Sequence, residues 1–447
     1  MGFQQGLSGL NAASKSLDVI GNNISNANTV GFKMAQTQFS DVFANSLNGA
    51  GGIGTGIGVR VQTVAQLFTQ GNISSTNNPL DIAINGAGFF RMSSNGAITY
   101  TRNGQFSLDK LGNIVNAQGA QLTGYSADSN GVLSTGAAVP LTITTTDIAP
   151  KETDIVNALL NLDSRSLVPG TQVPVAAPPV IIPIAFSLTD PLSYNNATSV
   201  AVFDSLGNSH VLQTFFVRVD PVARVPAVGA TAEWDVFAAV DGILIAGPGS
   251  GAGSPANSVG KVGFSNKGKL TAATPNFALT DPNAFAIAIP VTTGAVTPIS
   301  TPTIKYDMTG MTQFGSPFSV NSLRQDGYTS GKLSKFNTAK DGTIVGSYTN
   351  GKTAVLGQIA MANFTDPNGL QSLGDNQWTE TATSGSSLVG TPGSGSLGVL
   401  TSNATEDSNS DLTGELVNMI TAQRVYQANA QTIKTQDQIL QTLVNLR

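Results

Sequence analysis

Apolar residues recur every seven positions at both ends of the chain. Near the N-terminus Phe3, Leu10, Leu17 and Ile24 lie seven apart, and Gly6, Ala13 and Ile20 fill the second position of the repeat. A stripe of this kind over about three heptads predicts a helix that keeps one face for a partner. The pattern breaks at "NNISNAN", positions 22–28, where Asn22, Asn23, Asn26 and Asn28 crowd together. Asparagine competes for backbone hydrogen bonds and tolerates the left-handed conformation that ends helices, so the helix is expected to stop there. Thr29, Gly31, Phe32 and Lys33 complete the motif. Gly31 would turn the chain outward, with Phe32 as the expected anchor of a connector over 31–72.

The C-terminus mirrors this. Leu412, Met419, Tyr426, Ile433 and Leu440 again lie seven apart, and Leu416, Gln423, Ala430, Asp437 and Val444 read as the partner seam. Neither Gly nor Pro follows Gly414. The spacing predicts a helix of about 33 residues, roughly 50 Å long, capped by Ser408 or Ser410, with Asp411 and Glu415 near its N-terminus where the dipole favours anions. Neither stripe buries its face alone. Each needs the other, or copies of itself in neighbouring subunits; two amphipathic helices docked on one globular core is the plainer alternative.

Between the ends the period changes to two. Segments such as "LDIAINGAGFFRM" and "GTIVGSYTNGKTAVLGQIAMANF" alternate and are broken by Asn-Gly, Asp-Gly and Leu-Gly-Asn turns, a series of hairpins. The stretch 148–302 holds most of the proline, including "VPVAAPPVIIPIAF", together with strands such as "HVLQTFFVRV". It reads as a separate β domain inserted into the first. The expected organisation is therefore α+β and multidomain: a coiled-coil-like helical domain from 1–30 and 408–447, the connector 31–72, a discontinuous β domain from 73–147 and 303–407, and an outer β domain at 148–302.

Composition narrows the chemistry. Only 11% of the 447 residues are charged and the net charge is −5, so Ser, Thr, Asn and Gln must supply the polar surface and a nucleic-acid face is not expected. Cysteine is absent, which removes disulfides, thiolate nucleophiles and zinc-thiolate sites. The first residues lack the basic and continuous apolar regions of a Sec signal peptide, and no stretch approaches the roughly 18 apolar residues of a membrane span. Export, if it occurs, would use another machine.

Catalytic candidates are few. The single histidine, His210, lies in "DSLGNSHVLQTFF", a turn leading into a strand. A triad would require Asp204 or another carboxylate and a positioned serine beside it. The acidic "DSNSD" at 407–411 imitates the start of an EF-hand loop but has Leu412 where Gly is needed and Asn418 where the twelfth-position Glu belongs. "GIGTGIG" at 52–58 lacks the Lys-Ser/Thr of a phosphate loop. No catalytic residue, cofactor or metal site is expected.

Two stretches carry a resemblance. "LNAASKSLDVIGNNISNANTVGFK" resembles the N-terminal signature of the bacterial flagellar rod and hook family, and "LVNMITAQRVYQANAQTIKTQDQILQTLVNL" is similar to its C-terminal signature. "DIAINGAGFF", "YTRNGQFSLD" and "VFDSLGNSH" look like internal blocks of the hook branch, and the length and the insertion favour that branch over the shorter rod proteins. One departure is local: the family reads Ser-Asn-Val-Asp before the last helix, and this chain has Ser408-Asn409-Ser410-Asp411. The resemblance implies a structural subunit of an extracellular curved tube, a universal joint passing motor torque from rod to filament, exported unfolded through the flagellar type III apparatus. Its implied partners are copies of itself, the hook cap, the distal rod protein and the hook–filament junction protein. A distal rod-type protein, or a secreted β-rich adhesin, is the alternative.

Overall fold

The seven-residue repeats become helix and the two-residue repeats become strand. The computed structural model describes residues 2–42, 56, 58–128, 131–134, 136–143, 147–173, 180–219, 230–245, 257–275, 284–288 and 303–445. Among these, α-helix occurs at the two ends alone, as α1 (Gly2–Ser25) and α2 (Leu412–Asn445). The fold is multidomain and mainly β with two terminal helices. The chain forms two compact units, the first from Met1–Thr146, Leu333–Tyr348 and Lys352–Arg447, the second from Asp147–Lys332 and Thr349–Gly351.

In the first unit, α1 ends at Ser25, inside the asparagine cluster, and the chain then turns through Gly31 at φ +70°. The stretch expected as a plain connector, 31–72, instead holds β1 (Ala35–Val42) and β2 (Gly58–Gln66), an antiparallel hairpin that pairs Ala35 with Gln66. Its sequences alternate weakly, and most of the glycine-rich "GIGTGIG" between them lies outside the described residues. Beyond the hairpin, antiparallel strands at Phe89–Ser94, Ala97–Thr101, Gln121–Ser126, Thr353–Ile359, Thr343–Tyr348 and Leu333–Thr338 form one sheet network. Its core gathers Ile82, Ile84, Phe90, Met92, Leu122, Ile359, Met361 and Leu400, all fully or almost fully buried. Two short ladders bind early chain to late: Ile73–Ser75 with Ala404–Glu406, and Ile82–Asn85 with Val399–Ser402.

The second unit is a sandwich. One antiparallel sheet runs through Asn196–Phe203, Ser209–Arg218, Ala232–Val240, Gly260–Phe264 and Leu270–Pro275. The other centres on Ile155–Asp163, parallel to Thr303–Asp307 and antiparallel to Ser319–Gln325. Phe216, Trp234 and Val236 of the first meet Val156, Leu160, Phe285 and Tyr306 of the second in one buried core. Ala232–Val240 is buried along nearly its whole length because both faces are covered; on the far side Phe186 stacks on Phe237 at 4.0 Å. This unit therefore extends to Lys332, thirty residues past the expected boundary at 302. Residues 303–325 supply partners to Ile155–Asp163, and their buried Ile304, Tyr306 and Met308 belong to the sandwich core. Of the proline-rich run, 174–179 lies outside the described residues.

Glycine-centred turns recur in both units. At 109–113 and 204–208 the bonding is the same: the aspartate N–H donates to the carbonyl four residues on, the glycine N–H donates back to the aspartate carbonyl, and the carboxylate accepts the fifth residue's backbone and side-chain N–H groups. At 116–120 the backbone bonding is the same, and the Asn116 amide oxygen accepts from Gln118 N and Ala120 N. These are Asx-type turns, in which the short side chain closes the loop that the glycine allows.

Candidate functional site

α1 and α2 pack together in antiparallel fashion. Asn23 meets Glu415, a Cβ on Gly9 would strike the Asn429 side chain at 2.7 Å, and one on Gly6 would lie 3.0 Å from Ile433. The close approach depends on small residues. The buried stripe of α1 is Gly6, Ala12, Ala13, Val19, Ile20 and Asn23. Of the expected seam, Gly6, Ala13 and Ile20 lie in it; Leu10, Leu17 and Ile24 are half-buried on its flank and Phe3 is exposed. On α2, Met419 and Ile433 are half-buried toward α1, with Tyr426 at the margin of exposure. The second seam position is occupied by Glu415 and Ala422 instead of Leu416 and Gln423; Asn429, against Gly9, and Ala430 are both half-buried, and Val444 is exposed. On α2 this row of the face is shifted by one residue from the one that large apolar side chains suggest, because tight packing selects the small ones, while Gly6, Ala13 and Ile20 keep the expected register on α1.

Large apolar side chains are left over. Phe3 and Leu7 on α1, and Leu412, Leu416, Val417, Ile420, Val425, Ile439, Leu440 and Val444 on α2, are all more than a third exposed. Since Gly6 lies on Ile433, about two final turns of α2 run past the start of α1, and there Val444 is 73% exposed. A groove of about 830 Å³ also lies between the helix pair and the hairpin, lined by Ala12, Val19, Phe39, Val59, Ala422 and Val425 among others.

The asparagine motif does two jobs. Asn22 and Asn26 bond locally: Asn26 Nδ2 donates to Asn22 O and Oδ1, and Thr29 Oγ1 donates to Asn26 Oδ1, while Asn28 is exposed. Asn23 is buried and reaches out of the helix. Its amide donates to Ala35 O and Glu415 Oε2 and accepts from Ala35 N, so it joins α1, β1 and α2. At the other end the helix cap is Asp411, which accepts from Thr413 N, in place of Ser408 or Ser410. Asn409 accepts from Met34 N and donates to Leu67 O and Thr69.

Lys33, and not the half-buried Phe32, anchors the motif. Its ammonium donates to Glu406 Oε1 at 2.5 Å and to Thr69 O at 2.7 Å with no side-chain exposure. Arg102 approaches the other Glu406 oxygen at 3.2 Å, and Gly71 N and Gly31 N donate to the Glu406 side chain and backbone carbonyl. Burial pulls the Lys33 ammonium below the ordinary lysine range even though Glu406 works against it, and burial lowers the Arg102 guanidinium in the same way. Nothing in the sequence points to this clamp, because Lys33 and Glu406 are 373 residues apart.

Over its whole length the chain is 41% identical to "Flagellar hook protein FlgE" of Salmonella typhimurium, with all of both chains covered. The chain belongs to the flagellar hook protein family. The hook protein of Escherichia coli K12 is also 41% identical over 100% of both chains, and that of Borreliella burgdorferi is 31% identical over 99% of this chain and 98% of its own. Residues 3–33 match the flagella basal body rod protein family, 83–155 the flagellar hook protein FlgE/F/G D1 domain, 161–328 the flagellar basal body protein FlaE D2 domain, and 401–446 the flagellar basal body rod FlgEFG protein C-terminal family. The crystal structure of Helicobacter pylori flagellar hook protein FlgE2 shares the fold at a TM-score of 0.50 and 13% identity, over 76% of this chain and 99% of that one. In this hook-family chain the first matched region closes on Lys33 and the last contains Glu406, so the buried clamp joins the two terminal regions.

Proposed function

We propose that the paired terminal helices are the assembly surface through which this structural subunit of the flagellar hook polymerises into a curved tube. The observation that carries the reading is the apolar surface left on α1 and α2 after they have packed together. A helix pair that keeps Leu416, Val417, Ile420 and Leu440 in water gains by burying them against copies of itself. Many copies stacked through their helices would make a stiff inner wall for torque. The β units, with few charges and many hydroxyl and amide groups, would present polar surfaces whose water-mediated contacts exchange as the tube bends. Asn23, Asn409 and the Lys33–Glu406–Arg102 clamp fix the helix pair to the β region.

The partners of this role are further copies of the chain, the distal rod protein, the hook cap, the hook–filament junction protein and the type III export apparatus. No helix among the described residues is long and apolar enough to cross a membrane. The role calls for no catalysis. Both ring nitrogens of His210 face carboxylates, Asp241 at 2.7 Å and Asp204 at 3.5 Å, so neither is free to activate a serine. Electron microscopy of the purified chain at high concentration tests the assembly. Hollow curved tubes are expected; straight rods would favour a rod-type protein, and absence of polymer would overturn the proposal.

A further inference from the structure

We propose that His210, set between Asp204 and Asp241, is a proton-operated clasp at the root of the second unit. The ring lies on the strand Ser209–Arg218, and one carboxylate faces it from each flanking element. Val202 is its partner on Asn196–Phe203, whose following turn carries Asp204. On the other side Asp241 follows Ala232–Val240 and exchanges bonds with Val211: Asp241 N donates to Val211 O, and Val211 N to Asp241 Oδ1. Ionised carboxylates only accept, so the two of them together favour the imidazolium form, which presents an N–H to each. The Nδ1 contact to Asp241 is a short hydrogen bond; the Nε2 approach to Asp204 is longer than a good one and is chiefly electrostatic. When the proton leaves to water, Nδ1–H can keep its bond, but Nε2 turns a lone pair toward a carboxylate that is 1% exposed.

The position of that carboxylate gives the switch its reach. Asp204 closes the turn 204–208, accepting from Leu206 N, Asn208 N and Asn208 Nδ2. Gly207 of this turn lies against Pro150 and Thr329. Thr153 N donates to Phe203 O, and Phe203 N to Thr153 Oγ1. Residues 148–153 and 326–331 are the two chain segments by which the second unit begins and ends, bridged at Ile148–Gly331 and Lys151–Tyr328. The charged pair there, Lys151 with Asp326 at 2.5 Å, is internally matched. A turn loosened by a bare Nε2 is therefore a root loosened.

The pH window follows from the directions of the shifts. Burial pulls the His210 ring down, but the bonds to Asp241 and Asp204 outweigh it and hold the ring above its ordinary 6.5. A raised histidine stabilises fully below 6.5 and ceases to do so as pH rises through the folded midpoint. Burial pushes Asp204 up, but donation from Asn208, His210 and Leu206 N–H outweighs it; donation from Val211 N–H, then His210, lowers Asp241. Those contributions hold above the ordinary 3.8 and fail only in acid below it. The clasp is closed between these limits and opens on the alkaline side. It stands on the second unit alone. Its use, adjusting the root to the pH of the medium around a hook, rests on the assembly reading above.

The sole histidine makes the test direct. The His210 Hε1 resonance of the full chain is followed by NMR through pH 5–9, alongside hydrogen exchange of the Leu206 and Asn208 amides corrected for intrinsic rate. The expected result is a midpoint above 6.5, with amide protection falling several-fold above it, and His210→Gln flat across the range. A midpoint at or below 6.5, or the same pH dependence in His210→Gln, overturns the proposal. Should His210→Gln fail to fold, Asp204→Asn serves, because Asn116 shows that an amide oxygen can accept the backbone N–H groups of such a turn. It should lower the midpoint, and an unchanged midpoint would overturn the clasp. None of these readouts depends on polymerisation.

Discussion

Glu406 is the residue on which the clamp turns. It is one buried carboxylate serving two buried cations, so its loss and the loss of a cation are not equivalent. Glu406→Gln leaves Lys33 and Arg102 without a counter-charge and should destabilise the first unit by about 3–5 kcal/mol, the usual consequence of orphaning a buried ion. Lys33→Met keeps the Arg102–Glu406 pair and should lose distinctly less. Urea unfolding followed by Trp378 fluorescence, in a Trp234→Phe background, reads the first unit separately. Equal losses would show that the clamp is not the organising charge. Ser410 makes the opposite case. Its hydroxyl is buried with no hydrogen-bond partner among the described residues, at the position where the family signature has valine. Ser410→Val should raise stability by about 1 kcal/mol through removal of an unsatisfied polar atom. A fall in the unfolding midpoint would mean that the site has no room for the extra methyl group.

At the scale of elements, the helix pair depends on what is missing from its interface. A side chain at Gly9 would enter the space of Asn429; alanine can be met by a swing of that amide, a branched chain cannot. Gly9→Leu should separate α1 from α2 and make 2–25 sensitive to limited proteolysis while the β region stays resistant. Equal resistance in the variant and the parent would show that the close approach is not needed. The same interface explains what could be read from the sequence. Seven-residue spacing announced both helices, and the asparagine cluster marked where α1 stops, since period and punctuation are local. The row on α2 was hidden because Gly9, Ala12 and Ala422 carry little hydrophobic signal and yet set the packing. β1 and β2 escaped notice because their exposed faces weaken the alternation. The Lys33–Glu406 clamp lay beyond reach because nothing local links two charges 373 residues apart.

At the scale of the whole molecule, the boundary of the second unit decides which excisions are tolerated. Removing 148–302 would strand 303–325 without Ile155–Asp163 and expose Ile304, Tyr306 and Met308. Removing 147–332 takes the whole sandwich, and the Ile148–Gly331 bridge shows that the two ends are near enough for a short Gly-Ser linker. The larger deletion should yield a soluble first unit that still polymerises, and the smaller one an aggregating chain; size-exclusion chromatography separates these outcomes. Aggregation of both would mean that the first unit does not fold alone.

The central claim is that apolar residues left uncovered on the terminal helices drive assembly. Leu440 tests it most directly, because it lies on α2 beyond the start of α1 and is 53% exposed, so a charge there can stay in water without entering the α1–α2 interface. For Leu440→Asp, pelleting of polymer with electron microscopy of the pellet, beside circular dichroism and thermal unfolding of the unassembled chain, gives the decisive comparison. The predicted result is an unchanged spectrum and melting temperature with no tubes. Tubes of normal form and yield from Leu440→Asp would contradict the account.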